Sequence, residues 1–134
     1  MIMNDIFIDS NIILYLMDED EKKRQIASQL LASKPFISPQ VLTEVANVCK
    51  RRFKYTKEQV LSLWMDLLTD TSLVKTDEII FIKAIELCKK YNFQVFDALI
   101  VASALKAGCK TLYSEDMQHM GVIEKSLTII NPFT

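Results

Sequence analysis

The sequence predicts an α/β sandwich in which a short, mainly parallel central sheet is flanked by helices. Short apolar runs of strand length alternate with longer stretches of helical periodicity, and strands separated by helices imply parallel crossovers. Glycine is scarce, with two in 134 residues against a usual ~7%, which favours helix-rich structure with few tight turns. Half of the residues are hydrophobic and a quarter are charged, an ordinary globular balance. A chain of 134 residues makes one domain, 1–134, able to bury roughly two-thirds of its unfolded surface.

The elements follow in order. Residues 5–9 read as a short buried strand, and a helix runs from Ser10 to Met17. A helix over about 20–33 sets Ile26, Ala27, Leu30 and Leu31 on one face, with Asp18, Glu19, Asp20 and Glu21 at its solvated, dipole-complementing start. Phe36-Ile37-Ser38 is a second strand. Ser38-Pro39 then places an N-cap before proline at the first helical position and opens a helix to about Arg52. Thr56 and Gln59 form a capping box for a helix over 57–69. Leu73-Val74-Lys75 is a third strand, and Asp77 caps a helix to about Tyr91. A helix over 96–107 stops at Gly108, a natural left-handed terminator. Strands at 111–113 and 128–130 finish the fold. No repeat, low-complexity segment or linker interrupts it.

Composition excludes several functions. Neither glycine-rich phosphate loop can be written in this sequence. Cys49, Cys88 and Cys109 are odd in number and far apart, and His119 is the single histidine. A structural zinc site is therefore not expected, and the thiols read as reduced core cysteines of a cytoplasmic protein. Asp5 and Asp9 interrupt any apolar leader. The run Ile12–Met17 is too short to span a bilayer, so no membrane partner is expected. A net charge of −1 gives no global sign of nucleic-acid binding.

Four acids stand in apolar surroundings. Asp9 closes Ile6-Phe7-Ile8, and Glu44 sits within Val41-Leu42-Thr43-Glu44-Val45-Ala46. Asp97 opens Ala98-Leu99-Ile100-Val101-Ala102, and Asp116 ends Thr111-Leu112-Tyr113-Ser114-Glu115. A carboxylate driven into an apolar site must be paired, protonated or bound to a cation. Each has an ordinary reading: an Asx-turn for Asp9, an N-cap for Asp97, a solvated rim for Glu44 and a loop acid for Asp116. Jointly these weaken, because Asp9 and Asp116 fall just past the carboxyl ends of the first and fourth strands. That is where open parallel sheets bind ligands, near a topological switch point. Asp97 shares a helical stripe with Val101, Ala104 and Leu105. Oxygen donors without Cys or His select a hard cation, Mg²⁺ or Mn²⁺, and the matching chemistry is phosphoryl or phosphodiester cleavage.

At these residues the chain resembles the PIN-domain ribonucleases, especially the VapC-type toxins of type II toxin–antitoxin pairs. Phe7-Ile8-Asp9-Ser10-Asn11 matches the opening strand and its Asp, and Leu42-Thr43-Glu44-Val45 matches the helical Glu. Phe96-Asp97-Ala98-Leu99-Ile100-Val101-Ala102 matches the Asp-led helix. Leu112-Tyr113-Ser114-Glu115-Asp116-Met117-Gln118-His119 matches the last block, and Ile129-Ile130-Asn131-Pro132-Phe133 the ending. Ser10 and Ser114 stand where Thr is frequent, and Met120 intervenes before Gly121. The resemblance implies a PIN-like α/β/α sandwich and a metal-dependent endoribonuclease in which Asp9, Glu44, Asp97 and Asp116 hold Mg²⁺ or Mn²⁺. Asn11 and Ser114 would orient carboxylates or waters, and no side chain need act as nucleophile. It also implies tRNA or rRNA as substrate, a cognate antitoxin and a homodimer.

Lys50, Arg51, Arg52, Lys54 and Lys57 put five cations within eight residues, interleaved with Phe53 and Tyr55. Lys50, Arg51 and Lys54 are the RNA-binding candidates; the competing reading is a helix end complementing its dipole, followed by a solvated turn. Trp64, with Leu61, Leu67 and Leu68, reads as core or dimer surface. His119 reads as structural, and Glu115 as a supplementary ligand only if it turns toward Asp116. Two other functions compete. A haloacid-dehalogenase-type phosphatase wants a second Asp two residues after the first, and Asn11 stands there. A degenerate PIN module that binds RNA or protein without cleavage would be expected to lack one of the four acids, and none is missing.

Overall fold

The computed structural model describes residues 5–134. The expected strand β1 spans Ile6–Ile8, and Asp9 caps helix α1, Ser10–Leu14. The single helix expected to Met17 instead tightens into a 3-10 turn at Tyr15–Met17. Helix α2, Glu21–Ala32, starts at Asp20, whose side chain accepts from the backbone N–H groups of Lys22 and Lys23. Strand β2 is Phe36–Ile37, and Pro39 opens helix α3, Pro39–Arg52. Helix α4, Lys57–Asp70, carries the full capping box of Thr56 and Gln59. Strand β3, Ser72–Leu73, starts one residue earlier than expected. The Asp77 carboxylate caps helix α5, Glu78–Tyr91. Helix α6 is Val95–Lys106, and Gly108 turns the chain out of it at φ 75°. Strand β4 is Thr111–Tyr113. Strands β5, Val122–Ile123, and β6, Leu127–Ile130, form an antiparallel hairpin. Sequence analysis missed β5, because two residues carry no periodicity.

The sheet order is β3-β2-β1-β4-β6-β5, parallel except for β5. From β1 the chain steps outward to β2 and β3, then returns over the sheet to β4. Right-handed crossovers therefore put α1 to α4 on one face and α5 with α6 on the other, and these groups pack among themselves. The reversal falls between β1 and β4, where Phe7 pairs with Leu112 and Ile8 with Tyr113. Phe7, Ile8, Ile12, Ile37, Leu112, Leu127 and Ile129 are fully buried around these strands. Leu112 lies at the centre with no exposure. Leu112→Ala should therefore cost about 3 kcal/mol, the usual range for truncating a core leucine. A urea melt giving less than ~1 kcal/mol would mean the strand is not at the core.

The expectation of few tight turns is corrected. Lys34, Lys54, Asn92, Met120, Glu124 and Lys125 all take left-handed backbone conformations, with φ between 52° and 66°. Each non-glycine residue there gives up roughly 1 kcal/mol of backbone energy. At Glu124 the compensation is visible: its carboxylate accepts from Lys83 at 2.7 Å, Lys90 at 2.8 Å and the Tyr91 hydroxyl at 2.8 Å. These donors hold its carboxyl at about 2 and pin the β5–β6 hairpin to α5. The three cysteines are free. Burial pushes the Cys109 thiol up to about 12, so it is an inert core residue. The leader question, which rests in part on residues 1–4, lies outside the described residues. Among the described residues no helix is long and apolar enough to cross a membrane.

Candidate metal centre

Asp9 sits at the switch point because the backbone ladder carries it there: its N–H donates to the Tyr113 carbonyl at 3.0 Å. Its side chain does two jobs. Oδ1 accepts from the Ser10 N–H at 2.7 Å and starts α1. Oδ2 accepts from Ser114 Oγ at 2.9 Å. Asp9 is 5% exposed. Burial pushes its carboxyl up to about 6; the Ser10 and Ser114 hydrogen bonds oppose this, and Glu44 and Asp97 add to it.

Ser114 follows β4, and its N–H donates to the Ile130 carbonyl at 3.0 Å. It is fully buried, and its hydroxyl also accepts from the Asp116 N–H at 3.3 Å. Asn11, on the first turn of α1, spans the crevice. Its Nδ2 donates to Asp116 Oδ2 at 3.0 Å and approaches Ser114 Oγ at 3.4 Å, while Oδ1 accepts from the Glu115 N–H at 3.1 Å. Asp116 itself is exposed. Asn11 and Ser114 thus both hydrogen-bond to the acids they were expected to orient.

Glu44, half-buried on α3, is held by two residues that sequence analysis did not single out for this role. Ser10 Oγ donates to Oε1 at 3.0 Å, and Gln40 Nε2 to Oε2 at 3.3 Å. Gln40 also donates to the Phe96 carbonyl at 3.0 Å, tying α3 to the start of α6 across the sheet edge. Asp97 is the third residue of α6 and half-buried. The N-cap reading for it is corrected: Gln94 caps the helix, accepting from the Phe96 N–H. Burial raises the Asp97 carboxyl first, then Asp116 and Glu44.

Glu44 and Asp97 act electrostatically on Asp9, and Asp116 and Glu44 act on Asp97; none of the groups acting on Asp9 or Asp97 is a lysine or arginine. Such an all-oxygen set suits a hard divalent cation. Among the described residues, no three Asp, Glu, His or Cys side chains stand close enough to enclose an ion as they are. Mutual repulsion between carboxylates favours such separation.

The remaining candidates separate clearly. Lys50 and Arg51 are exposed on the last turn of α3, and Lys54 is exposed just beyond it. Arg52 and Phe53 line a cleft of about 290 Å³ together with Asn11, Leu14, Tyr15, Asp18, Glu115 and Asp116. Glu115 turns from Asp116 toward Tyr15, whose hydroxyl meets its two oxygens at 2.7 and 2.8 Å. His119 Nδ1 accepts from the Asn131 N–H at 2.8 Å, a structural role. Trp64 donates to the Leu42 carbonyl at 2.9 Å and so joins α4 to α3.

A family model described as the PIN domain matches residues 6–120. The comparison with curated proteins finds no match. Among solved structures, the chain is similar to a toxin–antitoxin complex from Klebsiella pneumoniae, at 22% identity and TM-score 0.72, covering 95% of this chain and 97% of that one. It is also similar to VapC20 of Mycobacterium tuberculosis, described as a sarcin-ricin loop cleaving toxin, at 23% identity and TM-score 0.67, with 83% and 89% coverage. A third similarity is to the DNA-bound VapBC of Salmonella typhimurium, at 19% identity and TM-score 0.67, with 95% and 97% coverage. At these identities the likeness shows a shared fold.

Proposed function

The chain belongs to the PIN-domain family, and from that premise we propose that it is a metal-dependent endoribonuclease, the toxin of a toxin–antitoxin pair. The single observation that carries this is Asp9: a buried carboxyl, raised to about 6, whose charged neighbours are all acids, at the sheet's switch point. Asp9, Glu44, Asp97 and Asp116 would hold Mg²⁺ or Mn²⁺. When bound, the ion supplies an activated water and neutralises charge on the scissile phosphate.

The chain's own residues do the rest. Ser114 and the Ser10 backbone fix the rotamer of Asp9, and Ser10 and Gln40 fix Glu44. Asn11 holds the exposed Asp116 against α1, limiting the freedom that a loop carboxylate otherwise has. Lys50, Arg51 and Lys54, exposed at and just beyond the end of α3, would pair RNA phosphates. The similar structures with toxin–antitoxin names support an antitoxin partner, and the reading places both proteins in the cytoplasm. By family resemblance the substrate is a structured RNA such as tRNA or rRNA. The direct test is cleavage of total RNA by purified protein in Mn²⁺. Cleavage that persists in EDTA would exclude the metal-dependent reading.

A homodimer fits one further surface. Phe81, Ile82 and Ile85 on α5 and Val95 and Phe96 at the start of α6 are each more than half exposed. Phe81, Ile85, Val95 and Phe96 border an apolar groove of about 350 Å³. Large apolar patches of this kind mark interfaces. A second copy covering this face would be lost on Phe81→Asp with Ile85→Asp. Light scattering should then give a monomer where the unaltered protein gives a dimer; a monomer in both cases ends the dimer assignment.

A further inference from the structure

Asp116 lies on a stretch after β4, residues 115–119, that has neither helix nor strand, and it is exposed. An exposed loop carboxylate samples many orientations, and binding an ion through it costs the entropy of ordering it. Here the ordering is supplied by the neighbouring residue. Both oxygens of Glu115 accept from the Tyr15 hydroxyl, at 2.7 and 2.8 Å. Lys23 Nζ stands 3.5 Å from that hydroxyl and 4.7 Å above the ring. An ammonium only donates, so the hydroxyl oxygen serves Lys23 and its proton serves Glu115. The Phe133 ring packs edge-on against Tyr15, with centroids 4.5 Å apart. Phe133 is itself tied through Asn131 to His119, at the far end of the same loop.

Resting on the cation site proposed above, we propose that Tyr15 and Glu115 are positioning residues that set the place of the Asp116 carboxylate in that site. Neither touches the ion. The Tyr15 hydroxyl spans both Glu115 oxygens and turns them from Asp116, so Glu115 is an anchor and not a ligand. Asn11 and Tyr15 lie four residues apart, where a helical turn brings side chains to one face. One edge of α1 and its 3-10 extension therefore grips both acids. Asn11 Oδ1 accepts from the Glu115 N–H at 3.1 Å, Asn11 Nδ2 donates to Asp116 Oδ2 at 3.0 Å, and Tyr15 holds the Glu115 side chain. Met117, the next residue, is buried and fixes the backbone from the other side. Asp116 is thus a loop residue between two anchored neighbours. Groups that orient a metal ligand commonly account for about 10- to 100-fold in affinity. Tyr15 acts through the residue beside the ligand, which places its effect at the lower end.

Two measurements on the full chain test this. In the first, Mn²⁺ is titrated calorimetrically into metal-free protein. Tyr15→Phe keeps the ring against Phe133 and Lys23 and removes only the hydroxyl; it should bind Mn²⁺ about tenfold more weakly. Glu115→Ala should lose at least as much, and the double variant should be no weaker than Glu115→Ala alone, because both changes break one link. Tyr91→Phe is the control. It removes the same kind of hydroxyl-to-carboxylate bond, to Glu124, ahead of β6 at the opposite edge of the sheet. It should leave Mn²⁺ affinity unchanged whatever it costs in stability. In the second measurement, amide hydrogen exchange is followed by NMR without metal. Tyr15→Phe should speed exchange severalfold at Glu115 and leave β1 and β4 as they were. Unchanged Mn²⁺ affinity in Tyr15→Phe overturns the proposal. So does tighter binding, which would make the freed Glu115 a ligand. Losses that add in the double variant, an equal loss in Tyr91→Phe, or unaltered exchange at Glu115 overturn it too. If the unaltered protein binds no Mn²⁺ saturably, the cation reading itself fails and takes the proposal with it, a result visible in the unaltered protein alone.

Discussion

Asp9→Asn and Asp97→Asn should each abolish RNA cleavage and growth inhibition while leaving the protein folded. Removing a ligand should exceed the 10- to 100-fold loss typical of the groups that merely orient ligands, so a fall of more than about a hundredfold is expected. Folding should survive for a local reason at each site. At position 9 an asparagine Oδ1 can still accept from the Ser10 N–H, and its Nδ2 can donate to Ser114 Oγ in place of the bond that runs the other way. At position 97 the carboxylate neither caps its helix nor lies in the fully buried core. The measurement is total-RNA cleavage by the three proteins in Mn²⁺, with circular dichroism as the folding check. Cleavage by both folded variants at the wild-type rate would place the chemistry elsewhere.

Stability should respond to pH and metal in opposite senses. The carboxyl of Asp9 rises from an ordinary 3.8 to about 6 in the fold, so between those values the native state holds a proton that the unfolded state has lost. Stability is then full below about pH 4 and falls as pH rises to 6 and beyond, by roughly 2–3 kcal/mol for this group alone. Asp97, also raised, adds in the same direction. Asp9→Asn should flatten this descent. Mn²⁺ at a hundred times its dissociation constant returns about 2.7 kcal/mol, which for a domain of this size is a Tm rise of about 10 °C. Glu124, held low, contributes with the opposite sign near its unfolded value, so the test is the difference between proteins: an Asp9→Asn variant with the same pH slope as the unaltered protein would contradict the assignment to Asp9.

Much of this fold is legible locally. Asp77 and Thr56 with Gln59 mark helix starts with their own side chains, and Pro39 and Gly108 mark helix termini with their backbone geometry, where the residues imply; Ser38 stands at the N-cap position of α3 but its side chain makes no capping hydrogen bond. Two-residue strands are not legible, because β5 exists through pairing with β6 rather than through its own pattern. Glycine scarcity misled for a related reason: tertiary bonds such as those on Glu124 let other residues occupy left-handed turns. The four acids stood out because they interrupt apolar runs. Of their supports, Asn11 and Ser114 were expected from the family resemblance, whereas Ser10 and Gln40 were not. Ser10 lies 34 residues from Glu44, and single-sequence spacing carries no information about such contacts; the same holds for Tyr15 and Glu115, 100 residues apart. Arg52 was indistinguishable from its basic neighbours until the end of α3 was set against α1.

In the proposed function, four acids from the end of β1, α3, α6 and the loop after β4 serve one cation site. Titration of Mn²⁺ followed by its free-ion EPR signal tests this most directly, using wild type, Asp9→Asn, Asp97→Asn and the distant control Asp66→Asn. Wild type and Asp66→Asn should bind Mn²⁺ saturably, and each of the other two should bind it more than about tenfold more weakly. Equal Mn²⁺ binding by all four proteins would contradict it.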